Sequence, residues 1–203
     1  QVTYNDHCLA PACYPGPDAP TGWLTGTAVF AYDEAGHLIG EYPSLYGPGK
    51  NTEYIYLDAT PIAAIRSGQL HEIETDHLGT PRAIVKPGTT LNRDVTVWRW
   101  DLLGNTFGND APNEDPDGDG TAFSFNLRYP GQYFDIETGL NYNYYRDYEP
   151  GTGRYIESDP IGLDGGISTY AYVISQPIGK VDPSGMLSFG PTCSATRRIQ
   201  IAL

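Results

Sequence analysis

From Trp23 to Asp101 short apolar and aromatic runs alternate with turn clusters, and no stretch repeats its apolar positions at the interval of a helix. Ala28–Tyr32 is followed by Asp33-Glu34-Ala35-Gly36 and then by His37–Tyr42, which predicts strand, tight turn, strand. Glu53–Leu57 and Pro61–Ile65 flank Asp58-Ala59-Thr60, and Gln69–Thr75 and Arg82–Val85 flank a run from Asp76 to Pro81. Thr96–Asp101 supplies one more strand. The pattern predicts an all-β ladder of hairpins over residues 23–126, preceded by a Pro- and Gly-rich irregular lead-in over 1–22.

Composition strengthens that reading. Gly (24) and Pro (17) break helices and favour turns, and 16 Tyr suit pleated surfaces. A formal charge of −13 argues against a nucleic-acid surface and against an anionic-membrane patch. No apolar run approaches the ~18 residues that would span a bilayer as a helix. The chain begins at Gln1 with no basic and apolar leader pattern, so it is expected to be a piece of something longer. Cys8, Cys13 and Cys193 are too few and scattered for a disulfide framework or a zinc site, although Cys8 and Cys13 are near enough to pair.

Residues 108–120 carry five acids and no base. Asp115, Asp117 and Asp119 have the spacing of the first half of a calcium loop, but the position for its closing acid is Asn126. A solvated acidic loop with no metal is the better reading.

From Leu127 ordered motifs crowd together: Leu127-Arg128-Tyr129-Pro130-Gly131-Gln132-Tyr133, Asp135 to Leu140, and Asn141-Tyr142-Asn143-Tyr144-Tyr145-Arg146-Asp147-Tyr148. Then come Gly153-Arg154-Tyr155, Ser158-Asp159-Pro160-Ile161-Gly162-Leu163, Gly165-Gly166, Tyr170-Ala171-Tyr172 and Asp182-Pro183-Ser184-Gly185-Met186. Physically these are strands with alternating Tyr and Asn, separated by Gly- and Pro-fixed turns. The run over 127–186 resembles the repeat-associated core of bacterial Rhs (YD-repeat) proteins, a domain also found in the C components of insecticidal toxin complexes. Tyr32-Asp33-x-x-Gly36-x-Leu38 is similar to a YD repeat, and Asp76-His77-Leu78-Gly79-Thr80-Pro81-Arg82 to the run that precedes the family's core. In that segment His77 and Arg82 are expected to serve a structural turn.

The resemblance implies part of a cocoon-like β-shell, closed by the core as a plug that cuts the chain after its own D-P-x-G-L motif. Here the bond would be Met186–Leu187, with Met186 replacing the family's Leu, a volume-conserving apolar change. The family's two aspartates and arginine match Asp159, Asp182 and Arg146. Two close carboxylates do not both ionise easily, so one can hold a proton while the other activates water. A nearby guanidinium keeps its charge and orients one of them. The plainer reading makes each Asp-Pro a turn former and pairs Arg146 with Asp147 or Glu149. The resemblance further implies a bacterial secreted or cell-surface protein, working with its own C-terminal segment as cleavage substrate and with secretion-system or toxin-complex components. No cofactor is needed by that chemistry. The resemblance implies that a closed shell needs many more repeats than this chain supplies, and residues 187–203, too short to fold into a toxin, are expected to be a truncated or degenerate toxin or a frame-shifted end. The competing functions are an inert structural or cell-surface contact module and a carbohydrate-active enzyme using a carboxylate pair.

Overall fold

A computed structural model describes residues 28–43, 50–89, 93–102, 104 and 106–190. The lead-in over 1–22, all three cysteines and most of residues 187–203 lie outside the described residues. Seven strands form one sheet in sequence order: β1 (Ala28–Tyr32), β2 (Leu38–Pro43), β3 (Thr52–Leu57), β4 (Thr60–Arg66), β5 (Gln69–Thr75), β6 (Pro81–Lys86) and β7 (Val95–Arg99). A second sheet holds β8 (Tyr133–Asp135), β9 (Leu140–Asn143), β10 (Arg146–Glu149) and β11 (Arg154–Tyr155), in the order β11-β10-β9-β8. The fold is all-β: the described residues contain no α-helix, only short 3-10 turns such as Gly162–Gly165 and Val173–Ser175. The expected hairpins are present, their ends moved by a residue or two.

The chain divides into two compact units, Gln1–Ile55 with Ala63–His71, and Tyr56–Ile62 with Glu72–Leu203. In the first, the Tyr-Asp turn shows why its residues are needed. Asp33 Oδ1 accepts from the backbone N–H of Ala35 (2.9 Å) and His37 (2.8 Å), and Gly36 takes a positive φ of 84° that a side chain resists. In the second unit Asp76 repeats the device, accepting from Leu78 N (2.9 Å) and Thr80 N (3.1 Å) beside Gly79 at φ 83°. Asp135 does so again with Glu137 N (2.9 Å) and Gly139 at φ 73°. The polar turn signals in the sequence therefore carry a specific function: carboxylates satisfy the turn amides that no strand can reach.

The core of the second unit is aromatic. Tyr129, Tyr148, Tyr155 and Tyr172 are buried and meet at ring-centroid distances of 4.7 to 6.5 Å, mostly edge-on or tilted, and Trp100 joins them through Tyr129 at 5.5 Å. Tyr148 donates its hydroxyl to the Phe107 carbonyl at 2.6 Å and the Trp100 indole donates to the Asp110 carbonyl at 2.7 Å. The rings thereby supply apolar area while their polar tips hold the strandless stretch that follows β7.

One turn runs against local preference. Val173, Ile174 and Ser175 all lie at positive φ (44°, 55° and 58°), where a β-branched side chain costs roughly 1–2 kcal/mol. Val173 is buried and holds the turn in place, whereas Ile174 is half exposed and gains little from its side chain. Ile174→Asn, which tolerates this conformation, is expected to stabilise the fold by about 1 kcal/mol, read as a Tm rise in thermal unfolding.

Candidate functional site

The second sheet builds the site by strand alternation. Along β9 Asn141 and Asn143 point inward, along β10 Arg146 and Tyr148 do, and on β11 Tyr155 does. Register pairs Asn143 with Arg146, and Tyr148 with both Asn141 and Tyr155. The connection from β9 to β10 is the two-residue Tyr144-Tyr145 turn, with Tyr144 at φ 59°. A buried Asn on a strand is costly unless its amide is used, and Asn143 is used.

Arg146 is the centre. Its Nη2 lies 2.9 Å from Asp159 Oδ2 and 3.4 Å from Asp182 Oδ2, so both predicted aspartates share one guanidinium nitrogen. Nη1 donates to the Thr169 carbonyl at 3.0 Å, and Nε donates to the Gly185 carbonyl. The guanidinium carbon stands 3.7 Å from the centre of the Tyr155 ring. Only 4 % of Arg146, 7 % of Asp159 and 2 % of Asp182 is exposed, so the three charges form a buried cluster rather than a surface pair. The ion pairs of Arg146 thus run to Asp159 and Asp182, distant in sequence.

Each aspartate divides its two oxygens between turn and cluster. Asp159 Oδ1 accepts from Ile161 N at 3.0 Å, the Asp-Pro turn expected of it, while Oδ2 faces Arg146. Asp182 Oδ1 accepts from Met186 N at 3.0 Å and Leu187 N at 3.1 Å, while Oδ2 faces Arg146 and receives the Tyr155 hydroxyl at 2.9 Å. Turn former and cluster member are the same residue in both cases. Paired backbone hydrogen bonds between Val181 and Phe189 (2.9 and 2.7 Å) close the segment around the Met186–Leu187 peptide, and Leu187 itself is exposed.

Gly165, within the Gly162–Gly165 turn, completes the geometry. A Cβ there would collide with the Asp159 carboxylate and would lie 3.1 Å from the Met186 carbonyl oxygen. Bare backbone is therefore what lets Asp159 and the Met186 carbonyl approach the same point. Burial pushes the Asp182 carboxyl above the ordinary aspartate range, against the hydrogen bonds from Tyr155, Met186 and Leu187 and the pull of Arg146. Burial likewise drives Tyr155 well above the usual tyrosine range, so its hydroxyl stays protonated.

The other sequence candidates have structural surroundings. Asp76 accepts from Arg82 Nε at 3.0 Å, and His77 Nε2 lies 3.0 Å from the Ile178 carbonyl, tying the turn to the loop after Pro177. Carboxylate oxygens of Asp115, Asp117 and Asp119 come within 4.8 Å of one another, with Asp117 and Asp119 exposed. Asn126, in place of a closing acid, donates instead to the Tyr133 hydroxyl at 2.9 Å. Sequence reasoning missed Asn143, Tyr155 and Gly165 as members of the site. All three stand inside the motif blocks, and the inward polar Asn143 on a strand was the available signal.

Asp-capped antiparallel hairpins and a small sheet around a buried Asp-Arg-Asp cluster define an all-β protein built from YD-type hairpins. No protein-family model matches the chain. It is 35% identical over 131 residues to the toxin protein Tse5 of Pseudomonas aeruginosa, covering 64% of this chain and 9% of that protein. It is 37% identical over 204 residues to the probable deoxyribonuclease RhsB of Dickeya dadantii, covering 83% of this chain and 13% of that one. In fold it is similar to the crystal structure of TcdB2-TccC3 without its hypervariable C-terminal region, with a TM-score of 0.56 and 20% identity over 80% of this chain and 8% of that chain. The chain belongs to the Rhs family. It spans only a small part of the length of each of these relatives.

Proposed function

We propose that this chain is part of a toxin-delivery shell whose core cuts its own backbone between Met186 and Leu187, freeing whatever follows. The observation that carries the reading is the contact of Asp182 Oδ1 with the Leu187 nitrogen at 3.1 Å, the leaving atom of that bond, while Asp159 is held by the same arginine.

Roles follow from environment. Asp159, paired closely with Arg146, is the ionised base: it takes a proton from water, and the water oxygen bonds to the Met186 carbonyl carbon. The carbonyl electrons move to oxygen and return as the C–N bond breaks. Asp182, the carboxyl that burial raises, is the acid: in the protonated form that cuts, it gives its proton to the Leu187 nitrogen as that bond breaks. The immediate products are a Met186 carboxylic acid, which then loses its proton to solvent, and a Leu187 amine, while the Asp159 proton passes to Asp182, directly or through solvent, and restores both residues. General acid and base contributions of this kind are worth about 10²–10⁴-fold each. Export from a bacterium, and assembly with secretion or toxin-complex components, belong to the same reading and rest on the relatives.

Mass spectrometry of the chain, fused to upstream YD repeats so that the shell wall is present, tests it. Two products separated at Met186–Leu187 are expected, and a single intact product from Asp159→Asn. An intact product from the unmutated fusion would instead favour the inert contact module.

A further inference from the structure

We infer that Asn143 and Tyr155 act as a positioning pair that anchors the Asp182 carboxyl by Oδ2 and so keeps Oδ1 against the Leu187 nitrogen. This rests on the cleavage reading above and adds two residues to it.

The direction of every hydrogen bond in the pair is fixed. Asn143 Nδ2 lies 2.9 Å from the Asp182 backbone carbonyl and 2.7 Å from the Tyr155 hydroxyl oxygen. A peptide carbonyl only accepts, so the amide atom facing it is the NH2 group. That NH2 also donates to the phenol oxygen, which sends the phenol's own hydrogen to Asp182 Oδ2 at 2.9 Å. Asn143 keeps this orientation although its Oδ1 is buried without a partner, a cost of roughly 1–3 kcal/mol. Stability alone would not select such an amide.

The consequence falls on Asp182. The groups that face it are Arg146 from β10, Tyr155 from β11, the buried Tyr172, and Asp159 across the shared guanidinium. Oδ2 receives the phenol hydrogen and has the Arg146 cation 3.4 Å away, which together fix the rotation of the carboxyl. Oδ1, turned the other way, accepts from the amides of Met186 and Leu187. As water adds to the Met186 carbonyl, the Leu187 nitrogen loses its planarity and becomes an acceptor beside Oδ1, the oxygen from which Asp182 can deliver its proton. Removing the phenol frees Oδ2 and withdraws a hydrogen bond that favours the carboxylate.

In the fusion described above, Tyr155→Phe is expected to slow cleavage about 10- to 100-fold. It is also expected to move the alkaline limb of the rate–pH profile to higher pH, because that limb reports loss of the Asp182 proton. A readout independent of cutting is the carbon-13 titration of the Asp182 carboxyl in the Asp159→Asn fusion, with and without Tyr155→Phe. Its midpoint should rise by about one pH unit on loss of the phenol. Should Tyr155→Phe not fold, Asn143→Ala, which leaves the phenol but releases its direction, should slow cleavage and shift the titration in the same two experiments. Cleavage that persists with an unmoved alkaline limb and an unmoved titration midpoint overturns the pair's role while leaving the cleavage reading intact. Absence of any Asp159-dependent cut overturns the cleavage reading itself, and the pair's role with it.

Discussion

Arg146→Met is expected to lower the folding stability of the core by about 3–5 kcal/mol at neutral pH, measured by chemical denaturation. The change keeps the apolar stem and removes one charge. Two carboxylates, 7 % and 2 % exposed, then lose the cation they share, and the Thr169 and Gly185 carbonyls lose their donors. The Tyr155 ring also loses the guanidinium stacked on it. The deficit has a pH signature. Burial already holds Asp182 above the ordinary aspartate range, and loss of Arg146 removes one of the influences that pull it down. A carboxyl whose folded pKa is raised favours the folded state below its unfolded value of about 3.9, and that contribution is lost as pH rises through the folded value. The variant should therefore lag furthest behind the parent at neutral pH and recover toward it in acid. Adding Asp159→Asn and Asp182→Asn to Arg146→Met should restore much of the loss, since neutral groups replace unpaired charges. A deficit below about 1 kcal/mol in the single variant would mean that the cluster is not sealed from water.

The hairpin ladder was legible because its signals are local. Asp33-x-x-Gly36 and Asp76-x-x-Gly79 name their turns by chemistry: a carboxylate to cap amides and a glycine to take positive φ. The strands between them follow from short apolar runs, and β5 falls on the expected residues. Of the site, the motif blocks yielded Arg146, Asp159 and Asp182, and the structure brings all three together. What no spacing could state is that one nitrogen of Arg146 serves both acids, or that Asp182 reaches forward to the Leu187 nitrogen. Both depend on loops returning to β10 from far along the chain. Asn143 and Tyr155 were hidden for another reason. In a region so rich in Tyr and Asn, residue type does not separate a ring that fills the core, such as Tyr148, from one that donates to a carboxylate, such as Tyr155. Only the strand register does so, and it comes from pairing rather than from composition. The left-handed turn at Val173–Ser175 was illegible too, since Val and Ile argue against that conformation and tertiary packing overrides them.

Gly165→Ala should separate chemistry from folding more cleanly than any charge change. Gly165 is not among the positive-φ glycines, so alanine meets no backbone strain there. The obstacle is space. The new methyl would land on the Asp159 carboxylate, 2.9 Å from its Cγ, and stand 3.1 Å from the Met186 carbonyl oxygen. Asp159 cannot simply rotate away, because Oδ1 is tied to Ile161 N and Oδ2 to Arg146. Overpacking of this kind costs about 1–3 kcal/mol. The effect on cutting should be larger, about 100-fold slower, because a base displaced by the order of an ångström no longer aligns water with the carbonyl carbon. Gly166→Ala next door is the control. At φ 142° it strains the backbone, yet its Cβ would find no atom within 4 Å. It should lower stability by about 1 kcal/mol and leave the rate near that of the parent. Following the appearance of the Leu187 amine over time in both variants, alongside their unfolding midpoints, decides the matter. If Gly165→Ala cuts as fast as Gly166→Ala, Asp159 does not act from the slot that Gly165 leaves open.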